Sequence, residues 1–166
     1  SDQQAKSGSI LATLDRLIIS DTLSLTNVKS EFLPGVGVNG RFQGQVNGGT
    51  PVQGFVRRTA QGMQVELTSQ EAGGALRDAG LIRQANDGQL KLLLNAKDGG
   101  WIGELEVSDA RVKDAPAIAE VLSAISVVGI LEQLDGNGLL FNEIKARFGL
   151  KDDIFTLYSA SAIGPS

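Results

Sequence analysis

Residues 36–56 read VGVNGRFQGQVNGGTPVQGFV, an alternation of apolar and polar residues around one glycine-rich turn. Val38, Phe42 and Val46 lie on one side of an extended chain, which is the two-residue period of a strand with one apolar face. The turn Asn47-Gly48-Gly49 tolerates positive φ angles and separates this strand from the next apolar run. The segment therefore predicts a β-hairpin.

Turn sequences of the same kind recur along the chain, at Gln61-Gly62, Asp87-Gly88, Asp98-Gly99-Gly100 and Lys151-Asp152-Asp153. Between them lie segments of similar length in which every second residue is apolar, a spacing typical of antiparallel strands. We therefore predict a mainly β (α+β) chain, 1–166, with a long, curved antiparallel sheet or trough as its architecture.

Two segments depart from the two-residue period. Ala72 to Leu81 has apolar residues at helical spacing between glycines, which predicts one short helix at about 72–82. Asp114-Ala115-Pro116 is a helix-start sequence, and it predicts an amphipathic helix at about 115–134 that Gly129 divides. The apolar stripe of this second helix consists of Ile118, Val121, Leu122 and Ile125.

Composition narrows the function classes. The 42% hydrophobic and 20% charged residues exclude a disordered chain, and the formal net charge of -4 disfavours nucleic-acid binding. The chain of 166 residues has no Cys and no His, so it lacks thiol nucleophiles, disulfides and the commonest transition-metal ligands. We therefore expect no enzymatic activity, no metal and no cofactor. No apolar run reaches the roughly 20 residues of a membrane-spanning helix, so we expect no transmembrane segment.

Single motifs give no catalytic site. The glycine-rich segments lack the Lys-Ser or Lys-Thr pair of a phosphate-binding loop. Asp135 and Asn137 could ligate calcium, but turn formation explains them better, since the later oxygen ligands of such a loop are missing. Asp152 and Asp153 fall in a predicted exposed turn, which favours solvated turn residues over an acid–base pair.

Several segments together resemble the C-terminal region of AsmA-like proteins, the family that includes YhdP and TamB. They are Gly103-Glu104-Leu105-Glu106-Val107, Asp114-Ala115-Pro116, Gly136-x-Gly138-Leu139-x-Phe141 and Ala162-Ile163-Gly164-Pro165-Ser166. The resemblance implies a protein anchored in the inner membrane of a Gram-negative bacterium and crossing the periplasm, of which this chain would be an excised C-terminal part. It also implies transport of phospholipid acyl chains along an apolar β-groove, and so a role in outer-membrane homeostasis.

Two interpretations stay open. The apolar faces could form a groove for acyl chains, or they could close over a dry core in a structural or protein-interaction module of the envelope, with other envelope proteins as partners. The candidate groove or core residues are Val38, Phe42, Val65, Leu90, Leu92, Leu94, Leu105, Ile144 and Phe148. The second helix, through Ile118, Val121, Leu122 and Ile125, is the candidate cap or gate of the groove.

Overall fold

The computed structural model describes residues 8–19, 22–33, 39–80, 82–113, 126–128 and 139–164. These residues form one open β-sheet and one short α-helix, α1 (Ala72–Asp78). The strands are β1 (Ile10–Ile18), β2 (Ser24–Leu33), β3 (Asn39–Val46), β4 (Pro51–Thr59), β5 (Gly62–Ser69), β6 (Ala85–Asn86), β7 (Gln89–Lys97), β8 (Gly100–Val112), β9 (Ser126–Val128), β10 (Leu139–Lys151) and β11 (Ile154–Ile163).

The sheet follows the order of the chain almost throughout. Its strands lie in the order β1-β2-β3-β4-β5-β7-β8-β10-β11-β9, and β6 pairs with β8 beside this path. Neighbours are antiparallel except β9, which pairs parallel with β11. Apart from α1, the elements make their main contacts with their sheet neighbours, so the described strands form a single layer. The mainly β, antiparallel prediction is confirmed.

Two-residue turns close two of the predicted hairpins. Asp98 and Gly99 join β7 to β8 with φ angles of 50° and 80°. Asp152 and Asp153 join β10 to β11 with φ angles of 51° and 62°. Positive φ at both central positions matches the right-handed twist of paired strands, and Asp and Gly are the residues that tolerate it.

The predicted short helix is confirmed, but it ends earlier than about residue 82. Gly80 adopts a φ of 78° and its N–H donates to the carbonyl oxygen of Arg77 at 3.0 Å, which terminates α1 after Asp78. At the other end, the N–H groups of Ala72 and Gly73 donate to the turn that precedes β7, at 2.9 and 2.8 Å. Backbone donors that a helix leaves unpaired are thereby satisfied.

The predicted second helix at about 115–134 lies mostly outside the described residues, together with Ile118, Val121, Leu122 and Ile125. The part that is described, Ser126–Val128, forms strand β9 and not a helix, so the prediction is wrong there. Val127 and Val128 are β-branched and fit a strand paired with β11 better than a helix interior. No helix in the described part of the chain is long and apolar enough to cross a membrane.

The turn between β3 and β4 binds the C-terminal end of α1. Nδ2 of Asn47 donates to the carbonyl oxygens of Asp78 and Thr22, at 2.7 and 3.0 Å. The backbone N–H and the hydroxyl of Thr50 both donate to Oδ2 of Asp78, at 2.7 and 2.5 Å. Because Thr50 is buried, these bonds attach the C-terminal end of α1 to the sheet on its buried side.

This attachment makes stability depend on pH. The hydrogen bond from the Thr50 hydroxyl is the main reason why the pKa of Asp78 lies below its ordinary value. Burial opposes this effect in part, and the bond from the Thr50 N–H and the charge of Arg77 lower the pKa further. Such a carboxyl group adds stability above its unfolded pKa of about 4, and that stability is lost as the pH falls through the lower folded value. We expect the melting temperature of wild type to fall towards that of Asp78→Asn as the pH is lowered from about 5 to about 3.

Circular dichroism melts at stepped pH measure this difference. Asp153→Asn, a substitution of the same type in the β10–β11 turn, is the control for removing one negative charge. Parallel melting curves for wild type and Asp78→Asn across the whole pH range would contradict the assignment.

The buried core lies where α1 covers the sheet. Ala72, Ala75 and Leu76 of the helix pack with buried residues of the strands, namely Leu25, Val28, Val46, Val52, Leu90, Val107 and Ala110. A second buried cluster consists of Ala85, Val112, Leu139, Phe141 and Ala162. The core therefore occupies the end of the sheet nearest α1, and the described residues place no helix over the other end.

Candidate functional site: the apolar face of the sheet

Strand register aligns the inward side chains of seven strands, β3, β4, β5, β7, β8, β10 and β11, in rows that cross the sheet. The first row, beside α1, is Gly44, Val52, Ser69, Leu90, Val107, Ile144 and Ala162. The second row is Phe42, Gly54, Leu67, Leu92, Leu105, Ala146 and Ala160.

The third row is Gly40, Val56, Val65, Leu94, Gly103, Phe148 and Leu157. The fourth row, at the end away from α1, is Arg58, Met63, Ala96, Trp101, Leu150 and Phe155. We call the surface made by these four rows the apolar face, and the opposite side of the same strands the polar face.

Eight of the predicted groove or core residues lie together on the apolar face. Leu90 and Ile144 are in the first row and Phe42, Leu92 and Leu105 are in the second. The third row contains the other three, Val65, Leu94 and Phe148. The ninth, Val38, lies outside the described residues. Whether these residues line a groove or belong to a core depends on what covers them.

Coverage of the apolar face decreases from the first row to the fourth. In the first row Val107 is 1% exposed, because α1 lies over that end of the sheet. The large side chains of the second row, and all those of the third except Leu157, are half-buried. In the fourth row Leu150 and Phe155 are 37% and 59% exposed. The apolar face is thus a surface that emerges from the core and opens to solvent.

Aromatic rings lie over glycines on this face. Phe42 is paired with Gly54, and a Cβ at Gly54 would stand 2.7 Å from the tip of the Phe42 ring. Phe148 is paired with Gly103 in the same way, with its ring over the missing side chain. Phe148 also stacks on Phe155 at 5.2 Å between ring centroids. Glycine lets each ring lie flat on the neighbouring strand, which keeps this part of the face low and smooth.

The polar face of the same strands carries ion pairs. Glu66 lies 3.5 Å from Arg57 and 4.0 Å from Lys91, and Lys145 lies 3.3 Å from Glu143. Glu143 is also the main cause of the raised pKa of Lys145. Each exposed pair of this kind adds little stability, but its charged groups are hydrated and favour exposure of the polar face to solvent.

Two open grooves, of about 440 and 490 Å³, lie on the polar face of the first strands. Lys29, Gln43, Gln53 and Thr68 line both of them. The larger groove also contains Leu11 and Phe55, but they stand among Lys29, Glu31, Arg41 and Glu66. Charged and amide side chains do not suit an acyl chain, because each would lose hydrogen bonds to water without replacement. The chemistry expected of a lipid site is therefore found on the apolar face and not in these grooves.

Sequence reasoning missed several members of the apolar face, including Val56, Leu67, Trp101 and Leu157. The two-residue period contains the signal for them, since Val56 follows Val52 and Gly54 at the same spacing. The ring-over-glycine pairs depend on which residue lies opposite, and that is known only once the strand register is known.

Comparisons of the chain with protein-family models, with curated proteins and with solved structures found no match. The role of the apolar face has therefore to be inferred from its own geometry and chemistry.

Proposed function

We propose that this chain is a non-enzymatic segment of a longer AsmA-like envelope protein, and that its apolar face shields phospholipid acyl chains on their way through the periplasm to the outer membrane. One observation carries the proposal: an apolar face continues over seven strands of a single-layer sheet and emerges from under α1 into solvent. The resemblance to AsmA-like proteins in sequence supports the same interpretation. In this proposal the sheet of the longer protein curves into a trough.

The dimensions suit an extended acyl chain. Seven neighbouring strands span six spacings of about 4.8 Å, so each of the first three rows is about 29 Å long. The second and third rows contain no charged residue, and their side chains are aliphatic or aromatic apart from the glycines. A chain lying across the strands would therefore meet apolar side chains along its whole length.

The expected affinity is low enough for transfer. Complete burial of a methylene saves about 0.8 kcal/mol, and an open face removes water from one side only, so about 12 methylenes would gain about 5 kcal/mol. Association costs at least about 4 kcal/mol of lost translational and rotational freedom. One chain alone would bind too weakly to isolate, but a phospholipid whose two chains lie on the second and third rows would gain about 10 kcal/mol against a single association cost, which leaves a dissociation constant on the order of tens of micromolar. Such binding is reversible, as a conduit requires, and no catalytic residue is needed.

One observation favours the alternative, a protein-interaction module. Strand β1 lies at the edge of the sheet and is exposed along its whole length. Ile10 and Ile18 are 62% and 70% exposed, and an edge strand of this kind readily pairs with another strand. This surface is separate from the second to fourth rows of the apolar face, so the two functions can be tested independently.

Lipid that copurifies with the protein tests the proposal. We expect native mass spectrometry and solvent extraction to find bound phospholipid, and Leu94→Gln to reduce its amount several-fold, because an amide in the third row would have to be desolvated. Leu93→Gln is the matched control, since Leu93 is adjacent, equally half-buried and on the polar face beside Glu66 and Glu104.

Three outcomes are distinguishable. Lipid that is lost in folded Leu94→Gln and kept in Leu93→Gln supports the apolar face as the site. Equal loss in both variants contradicts that location. A stable wild-type protein that carries no lipid and takes none from phospholipid vesicles favours the interaction module.

A further inference from the structure

The fourth row of the apolar face contains one charged side chain, Arg58. The register pairs Arg58 with Met63, and Met63 with Val65 and Leu67 belongs to the inward side of β5. The other three rows contain no charged residue at all. A guanidinium on such a face is unusual, because strand alternation elsewhere sends the charges of β3 to β10 to the polar face.

Arg58 differs from its neighbour Arg57 in its partners. Arg57 lies on the polar face and pairs with Glu66 at 3.5 Å. No ion pair joins Arg58 to any residue in the described part of the chain, although its backbone N–H donates a hydrogen bond to Oδ1 of Asn39 at 3.3 Å. The charge of Arg58 is therefore available to an external anion.

The position of Arg58 suits the head group of a lipid whose acyl chain lies on the apolar face. The fourth row is one two-residue step from the third, about 7 Å along the strand, and it is the most exposed row. Trp101 lies in the same row, and Trp and Arg are residues that combine an apolar body with a polar end at a boundary between apolar surface and water.

We infer that Arg58 binds the phosphate of an anionic lipid at the open end of the apolar face, so that the protein prefers lipids with a net negative head group. This inference rests on the proposed function. A guanidinium presents two parallel N–H donors to two phosphate oxygens, and a zwitterionic lipid offers the same phosphate with its charge already compensated. The preference should therefore depend on Arg58, and acyl-chain binding should not.

The test is the uptake of two diacyl probes with the same fluorescent acyl chain, phosphatidylglycerol and phosphatidylcholine, each present in trace amount in the same donor vesicles at low salt. We expect wild type to bind the anionic probe about five times more tightly, the range of one exposed charge-assisted contact. Arg58→Gln should bind the two probes about equally, because the loss of the guanidinium weakens binding of phosphatidylglycerol more than binding of phosphatidylcholine. Arg57→Gln is the matched control and should keep the preference.

Inorganic phosphate, titrated as a competitor, separates a head-group contact from a site for free anions. If phosphate at the same concentration as the probes displaces neither of them, the head-group contact is supported. If phosphate binds tightly in the absence of lipid, the head-group contact is overturned. Equal affinity of wild type for both probes, or an unchanged preference in Arg58→Gln, also overturns the inference while leaving the proposed function intact. Binding of neither probe contradicts both.

Discussion

Replacement of Gly73 by alanine is expected to destabilise the protein by about 2 kcal/mol, although alanine is the better helix former. A Cβ at Gly73 would overlap the backbone N, Cα and C atoms of Asn86 in β6. Backbone cannot rotate away as a side chain can, so α1 would have to move off the sheet, at a cost of about 3 kcal/mol. The gain in helix propensity is about 1 kcal/mol and does not compensate.

Gly74 provides the adjacent control. A Cβ there would stand 2.5 Å from Oγ1 of Thr50, which can rotate at the cost of its hydrogen bond to Asp78. That bond goes to an ionised carboxylate and its loss costs about 2 kcal/mol, whereas the gain in helix propensity is about 1 kcal/mol, so Gly74→Ala should cost about 1 kcal/mol, about half the cost at Gly73.

Thermal denaturation measures both variants. For a chain of this length about 2 kcal/mol corresponds to a fall of about 6 °C in melting temperature. Equal melting temperatures for wild type and Gly73→Ala would mean that a Cβ at position 73 does not meet the backbone of Asn86, and so that α1 lies farther from β6. The result bears on function, because α1 determines how much of the first row is covered.

The sheet could be predicted because its information is local. Val65, Leu67 and the polar residues between them specify a strand without reference to the rest of the chain. Turn residues such as Asp98-Gly99 then fix the antiparallel connection through their tolerance of positive φ. Strand order followed because most strands pair with their neighbour in sequence; the exceptions are the excursion through α1 and β6, and β9, which lies at the edge beside β11.

The sequence predicted only some members of the apolar face, because the residues that lie side by side on neighbouring strands depend on the strand register. Leu92 and Leu94 are on one face by alternation alone, but their alignment with Leu105 and Gly103 requires the pairing of β7 with β8. Arg58 was not recognised as a member of this face for the same reason. Arg57 and Arg58 are adjacent and carry the same charge, so the sequence does not indicate which of them lies on the apolar face.

The failure at Ser126–Val128 has a different cause. Helical spacing of the preceding apolar residues favoured a helix that runs up to Gly129, whereas two adjacent valines favour a strand when a partner edge is available. That edge is β11, which comes more than 25 residues later in the chain, so pairing with it is a tertiary effect that local spacing does not contain.

Lipid on the apolar face should give a two-residue pattern of contact along any central strand. Strand β5 is well suited to test this, because it lies between β4 and β7 and its residues from Gly62 to Thr68 are all half-buried. Met63, Val65 and Leu67 lie on the apolar face, whereas Gln64, Glu66 and Thr68 lie on the polar face. Exposure is thus matched between the two sets, and only the chemistry of the face differs.

The decisive measurement is photo-crosslinking of radiolabelled phospholipid to six variants that carry benzoylphenylalanine singly at positions 63 to 68 of the full chain. We predict strong labelling at Met63, Val65 and Leu67 and background labelling at the three intervening positions. Uniform labelling, or stronger labelling at Gln64, Glu66 and Thr68, would contradict the assignment of the apolar face as the lipid-binding surface.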